Sequence, residues 1–66
     1  MMKAKYNIGD IISNKEDDSL YLVEKHEEDL NGYKYYKLIH LGSGKVIYER
    51  IRNIDLYNNS SYTLVA

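Results

Sequence analysis

The sequence contains no cysteine, no phenylalanine, no tryptophan and no proline. Without cysteine there is neither a disulfide framework nor a thiolate zinc site, so the usual staples of a small secreted scaffold are excluded. No run approaches the roughly eighteen apolar residues that a membrane span needs. The basic start Met1-Met2-Lys3-Ala4-Lys5-Tyr6-Asn7 lacks the apolar stretch and the small-residue cleavage site of a secretory signal. A cytoplasmic location, away from membranes, is the expectation. On that basis Asn59-Ser60-Ser61, which fits the N-x-S glycosylation pattern, reads as a loop.

What remains is a chain of 66 residues, with room for one core and a single domain over residues 1–66. A chain this short buries only roughly 60% of the surface that its unfolded form exposes. Good β pairing, or a second copy of the chain, has to supply the stability that a thin core does not. Eight tyrosines make up the whole aromatic content. Each offers an apolar ring and one polar tip, suited to half-buried positions and to contact surfaces alike.

Short segments rich in Ile, Val, Tyr and Leu alternate with clusters of Gly, Asn, Asp and Ser, the pattern of short antiparallel strands. Strands are expected at Ile8–Ser13, Leu20–Glu27, Tyr33–Leu41, Lys45–Arg52 and Tyr62–Val65. Asn31-Gly32 joins the second and third, because Asn-Gly supplies the positive φ that tight hairpins demand. Gly42-Ser43-Gly44 joins the third and fourth, and Asn14-Lys15-Glu16-Asp17-Asp18-Ser19 is a longer polar loop. Residues 53–59 have neither strand alternation nor the length of a helix, and a single turn of 3₁₀ helix is expected there. In the third segment Tyr36 and Leu38 share one face, Ile39 and Leu41 the other. Either a bulge intervenes near Ile39-His40 or both faces are partly covered.

An opening Gly9-Asp10-Ile11-Ile12, a Tyr21-Leu22-Val23 second strand, two tight hairpins and a final Tyr62-Thr63-Leu64-Val65 together resemble the SH3-like small β-barrel. More narrowly, they resemble the small barrel proteins of unknown function that bacteriophages and other mobile elements encode. The resemblance implies an all-β, five-stranded SH3-like barrel with a short 3₁₀ turn before the last strand. The peptide-binding SH3 signature is missing: there is no Ala-Leu-Tyr-Asp-Tyr-like run, no paired tryptophan and no proline in the turn. Recognition of proline-rich peptides is therefore not expected.

No catalytic constellation emerges. Gly42-Ser43-Gly44-Lys45 has neither the four residues between glycines nor the following helix of a phosphate-binding loop. His26 and His40, with Glu24, Glu27 and Glu28, lack any recognised metal-ligand spacing. Ser43, Ser60 and Ser61 sit in turns without a paired base. No enzyme activity, cofactor or metal is expected.

Charge is the most informative feature left. Residues 10–29 hold eight acidic side chains against two lysines, a net of −6, while residues 33–52 hold five basic side chains against one glutamate, a net of +4. If the loops at 14–19 and 27–32 flank one end of a barrel, that end is acidic. The leading expectation is therefore a non-catalytic protein-binding module, of the kind a mobile element uses to modulate a host protein. Its partner is a host protein with a basic surface, met by Asp17, Asp18, Glu28 and Asp29 with Tyr57 as an aromatic anchor. Single-stranded nucleic acid, held by Tyr33, Lys34, Tyr35, Lys37, Arg50 and Arg52, is the alternative, opposed by a sequence pI near 6.0. A further alternative is a homo-oligomer that binds a small molecule or nucleotide between its subunits, since so small a barrel fills its own interior.

Overall fold

A computed structural model describes residues 4–51 and 61–66. Five antiparallel strands form one sheet: β1 (Ile11–Asn14), β2 (Leu20–Glu28), β3 (Lys34–His40), β4 (Val46–Arg50) and β5 (Tyr62–Leu64), in the order β4-β3-β2-β1-β5. The all-β expectation holds, with strand ends displaced by up to three residues. Among the described residues the ladder is open, with β4 and β5 as its edges. The 3₁₀ turn expected over 53–59 lies outside the described residues. No described helix is long and apolar enough to cross a membrane.

The first strand begins three residues later than its apolar run suggests, because Asn7–Asp10 forms a turn. The Asp10 amide donates to the Asn7 carbonyl (3.0 Å), and Gly9, at φ 96°, takes the positive angle that a type II turn requires. Two hairpins then share one geometry. In the first, the Asn14 amide donates to the Ser19 carbonyl (2.8 Å) and the Asp18 amide to the Asn14 carbonyl (2.8 Å). In the other, His40 and Lys45 pair in the same way (2.8 Å) and the Gly44 amide donates to the His40 carbonyl (2.7 Å). The left-handed position is filled by Asp18 (φ 60°) in one and Gly44 (φ 75°) in the other. The β2–β3 hairpin differs: the Gly32 amide donates to the Asp29 carbonyl (3.0 Å) and the Asp29 amide to the Tyr33 carbonyl (2.9 Å). It is a three-residue loop in which Gly32 alone, not Asn31, takes positive φ.

Residues directly opposite in an antiparallel pair share a face. The inner face carries Ile12, Val23, Tyr36 and Leu38, all fully buried, with Tyr21, Ile47 and Tyr62 packed beside them. The arm before β1 covers this face. Tyr6 is buried against Tyr36 with ring centroids 5.9 Å apart, and its amide donates to the Tyr36 hydroxyl (2.9 Å). His26 Nε2 donates to the Tyr6 carbonyl (2.9 Å), and the Tyr6 hydroxyl donates to the Tyr62 carbonyl (3.3 Å). Three strands are thereby tied to the arm.

Of the two readings of the third segment, a bulge near Ile39-His40 or two partly covered faces, the second holds. β3 is regular, with both faces partly covered, and the register shifts in β2 between Val23 and Lys25. The extra residue puts Glu24 and Lys25 together opposite Lys37, and the Lys37 ammonium pairs with Glu24 at 3.0 Å. It also resets the alternation, so that His26 turns inwards and Glu27 outwards.

Burial pushes the Tyr62 hydroxyl up to about 12, with the Glu49 and Tyr21 side chains adding to the shift. Glu49 belongs to one edge strand and Tyr62 to the other. The Tyr62 contribution to stability is constant below pH 10 and falls as pH rises towards 12, where the unfolded phenol ionises and the folded one resists. We expect Tyr62→Phe to lose less stability than the wild type across that window in urea titrations. Parallel pH profiles for the two proteins would show that other groups govern alkaline unfolding.

Candidate functional site

The four described acidic residues singled out from the sequence do not form one face. Consecutive hairpins of an antiparallel meander close at alternate ends, so Asp17 and Asp18 stand at one end of β2 and Glu28 and Asp29 at the other. β2, nine residues that end at Glu28, spans about 26 Å at a strand rise of roughly 3.3 Å per residue. Beside Asp17 and Asp18 stands the β3–β4 hairpin, where the Leu41 amide donates to the Leu20 carbonyl (2.9 Å). Tyr57 lies outside the described residues.

Local chemistry explains much of the acidity. Asp17 accepts the Ser19 amide (3.0 Å), and its hydrogen bonds to Ser19 hold its carboxyl below the usual value. Asp29 Oδ1 accepts the amides of Asn31 (2.9 Å) and Tyr33 (3.0 Å), and Oδ2 accepts the Tyr35 hydroxyl (3.2 Å). A short aspartate side chain that satisfies loop amides is a common turn device. Its charge still faces outwards.

The basic strip is divided as well. Tyr33, Tyr35, Lys37 and Arg50 project from the outer face, whereas Lys34, opposite Glu28, projects from the inner one. Hydrogen bonding to Glu24 raises the Lys37 ammonium above the usual lysine value. The Arg50 guanidinium lies 4.2 Å from the Tyr33 ring centroid. Arg52 lies outside the described residues.

The two histidines serve separate places. His26 is held edge-on to Tyr36, and His40 lies edge-on to Tyr21 while its Nδ1 accepts the Ser43 amide (3.1 Å). The Ser43 hydroxyl lies 2.8 Å from the same nitrogen. This exposed contact stitches the β3–β4 loop.

What the fold does assemble is an open cavity of about 270 Å³ at the β2–β3 end, lined by Glu27, Glu28, Asp29, Tyr35 and Tyr48. The bulge is its cause, since the reset alternation puts Glu27 on the outer face directly opposite Tyr35. Tyr48, opposite Lys37, brings a second ring, about half exposed at 52%. Desolvation and the Asp29 hydrogen bond raise the Tyr35 hydroxyl above the usual tyrosine value, so it stays a donor at neutral pH. Glu27 also pairs with Lys25 at 3.0 Å, an exposed contact of little energetic weight. Glu27, weighed from sequence only as a metal ligand, and Tyr48 were not assigned to a binding site. The outward Val46-Tyr48-Arg50 alternation carried a signal for Tyr48; for Glu27 the signal exists only once the bulge is located.

No protein family model, curated protein or solved structure matches the chain.

Proposed function

We propose that this chain is a non-catalytic protein-binding module, and that the β2–β3 end of its outer face receives a basic side chain of the partner. One observation carries the reading: the carboxylates of Glu27 and Asp29 and the rings of Tyr35 and Tyr48 line one open cavity. Carboxylates attract a lysine or arginine over distance, and tyrosine faces hold the cation through their ring quadrupole. Within the protein itself, the Arg50 guanidinium already rests on the neighbouring Tyr33 ring. A host protein with a basic surface is the partner class. The strand order, with β5 returned beside β1, is compatible with the SH3-like small barrel that the sequence resembles. Asp17 and Asp18 stand too far away to serve the same basic group and act, if the partner is large, as a second contact.

Titration with an arginine- and lysine-rich peptide tests this. Binding should weaken as salt rises, and Glu27→Lys should reduce affinity at least about tenfold without lowering the melting temperature, because exposed charges contribute little to stability. Tyr48→Ala should cost about 2 kcal/mol of binding, the scale of an aromatic hot spot. Equal affinity in all three proteins would discard the cavity. Salt-sensitive binding of an oligonucleotide that Arg50→Ala removes would favour the nucleic-acid alternative instead.

A further inference from the structure

In the whole sequence only Asn31 precedes a glycine. The fold sets this pair at the tip of the β2–β3 loop, where Leu30 is fully exposed at 105% and Asn31 is exposed beside it. The Asn31 backbone amide donates to Asp29 Oδ1, but its side-chain amide has no hydrogen-bond partner among the described residues. Asn14 differs on both counts: its Oδ1 accepts the Glu16 amide (2.9 Å), and the residue that follows is a lysine. A glycine sets no side chain beside its own nitrogen. Attack by that nitrogen on the preceding asparagine side chain is therefore least hindered at Asn31.

We infer that Asn31 is a site of spontaneous covalent modification, which converts it to aspartate and isoaspartate and so reshapes the β2–β3 loop. Hydroxide removes the proton of the Gly32 amide, and the nitrogen attacks Asn31 Cγ. The new N–C bond closes a five-membered succinimide, the Cγ–Nδ2 bond breaks, and ammonia leaves after taking a proton from water. Water then opens the ring at either carbonyl. Cleavage at Cγ gives aspartate; cleavage at the main-chain carbonyl gives isoaspartate, whose backbone is longer by one methylene. The balance is one water consumed and one ammonia released. Folding sets the rate, because the Gly32 amide donates to the Asp29 carbonyl (3.0 Å) and Asp29 Oδ1 holds the Asn31 and Tyr33 amides. Attack waits until these bonds open, and bonds at an exposed loop tip open at low cost. Aspartate keeps the loop length and adds one negative charge. Isoaspartate lengthens a three-residue loop and draws the Gly32 and Tyr33 amides off their Asp29 acceptors. This inference is independent of the peptide-binding reading, since it concerns the chain alone.

The full chain is incubated in warm, mildly alkaline buffer and mapped at intervals by peptide mass spectrometry. The peptide that holds Asn31 should exchange the mass of an amide NH₂ for that of a hydroxyl, while those of Asn7 and Asn14 stay unchanged. Conversion in the folded chain should run within about tenfold of the rate in guanidinium chloride, since the loop opens without global unfolding. Asp29→Ala should convert at least about threefold faster than the wild type, because two hydrogen bonds that hold the loop closed are lost. Asn31→Ser should show no mass change in this loop. Ion exchange separates the products by their added charge, and the isoaspartate form should melt below the unmodified protein. Conversion slower than the tenfold limit, or faster at Asn7 or Asn14 than at Asn31, overturns the site. An Asp29→Ala rate equal to the wild type overturns the part given to Asp29. An isoaspartate form with the unmodified melting temperature overturns the reshaping of the loop.

Discussion

Replacing Tyr36 with alanine should remove most of the stability of this domain. Its ring is fully buried at the centre of the inner face, touching Tyr6 and His26. Loss of a buried aromatic costs about 3–5 kcal/mol, because the surrounding side chains collapse only partly into the space. A chain of this length has a total of roughly 3–10 kcal/mol on the usual per-residue scale. Tyr36→Ala should therefore be largely unfolded in circular dichroism at room temperature. Tyr36→Phe separates packing from hydrogen bonding: it keeps the ring but leaves the Tyr6 amide without the hydroxyl oxygen that accepts it, at a cost of about 1–3 kcal/mol. A phenylalanine variant with the wild-type urea midpoint would show that this buried bond contributes nothing, and a folded alanine variant would displace Tyr36 from the core.

Gly32→Val should give a large effect for a change on the surface. A Cβ at this position meets nothing within 4 Å, so no clash contributes. The cost is conformational, since φ 85° is hostile to a β-branched residue, and amounts to about 1–3 kcal/mol. Asparagine tolerates the left-handed region, so Gly32→Asn should lose distinctly less. The same loop carries Asp29, whose carboxylate binds the Asn31 and Tyr33 amides and the Tyr35 hydroxyl, so the valine variant should also weaken binding of the basic peptide. Melting temperatures of the two variants decide the matter: equal losses would assign the effect to something other than φ.

Both predictions rest on features of different legibility. The positions of the turns were readable because glycine chemistry is local: Gly32 and Gly44 take the positive φ their loops need whatever the rest of the chain does. The loop length at Asn31-Gly32 was less so, since Asp29, two residues earlier, decides it through side-chain bonds to the loop amides. The third segment allowed a bulge or two partly covered faces; the second holds, and the bulge lies in β2. Leu20-Tyr21-Leu22-Val23 carries the same broken alternation as the third segment, and only the pairing of Lys37 with both Glu24 and Lys25 shows which strand holds the extra residue. Tyr6 was unreadable as a core residue because its partners, Tyr36 and Tyr62, are distant in sequence. The division of the acidic set followed from topology. Strand identities were sufficient to put successive loops at opposite ends, and grouping Asp17 and Asp18 with Glu28 and Asp29 overlooked the length of β2. The cavity could be anticipated in its acidity alone, because its rings join it through register.

The arm that begins the fold has a bearing on how the protein is made. Tyr6 leaves the ribosome early, yet its hydroxyl bonds to a carbonyl 56 residues later and its amide to a side chain 30 residues later. β1, likewise, has one neighbour in β2 and the other in β5, the last strand. The hairpins β1–β2, β2–β3 and β3–β4 can form as they emerge, but the layer over the inner face waits for β5. The inner layer is thus completed only once β5 has been made. Until then the nascent chain exposes Ile12, Val23 and Leu38, the surfaces that chaperones recognise.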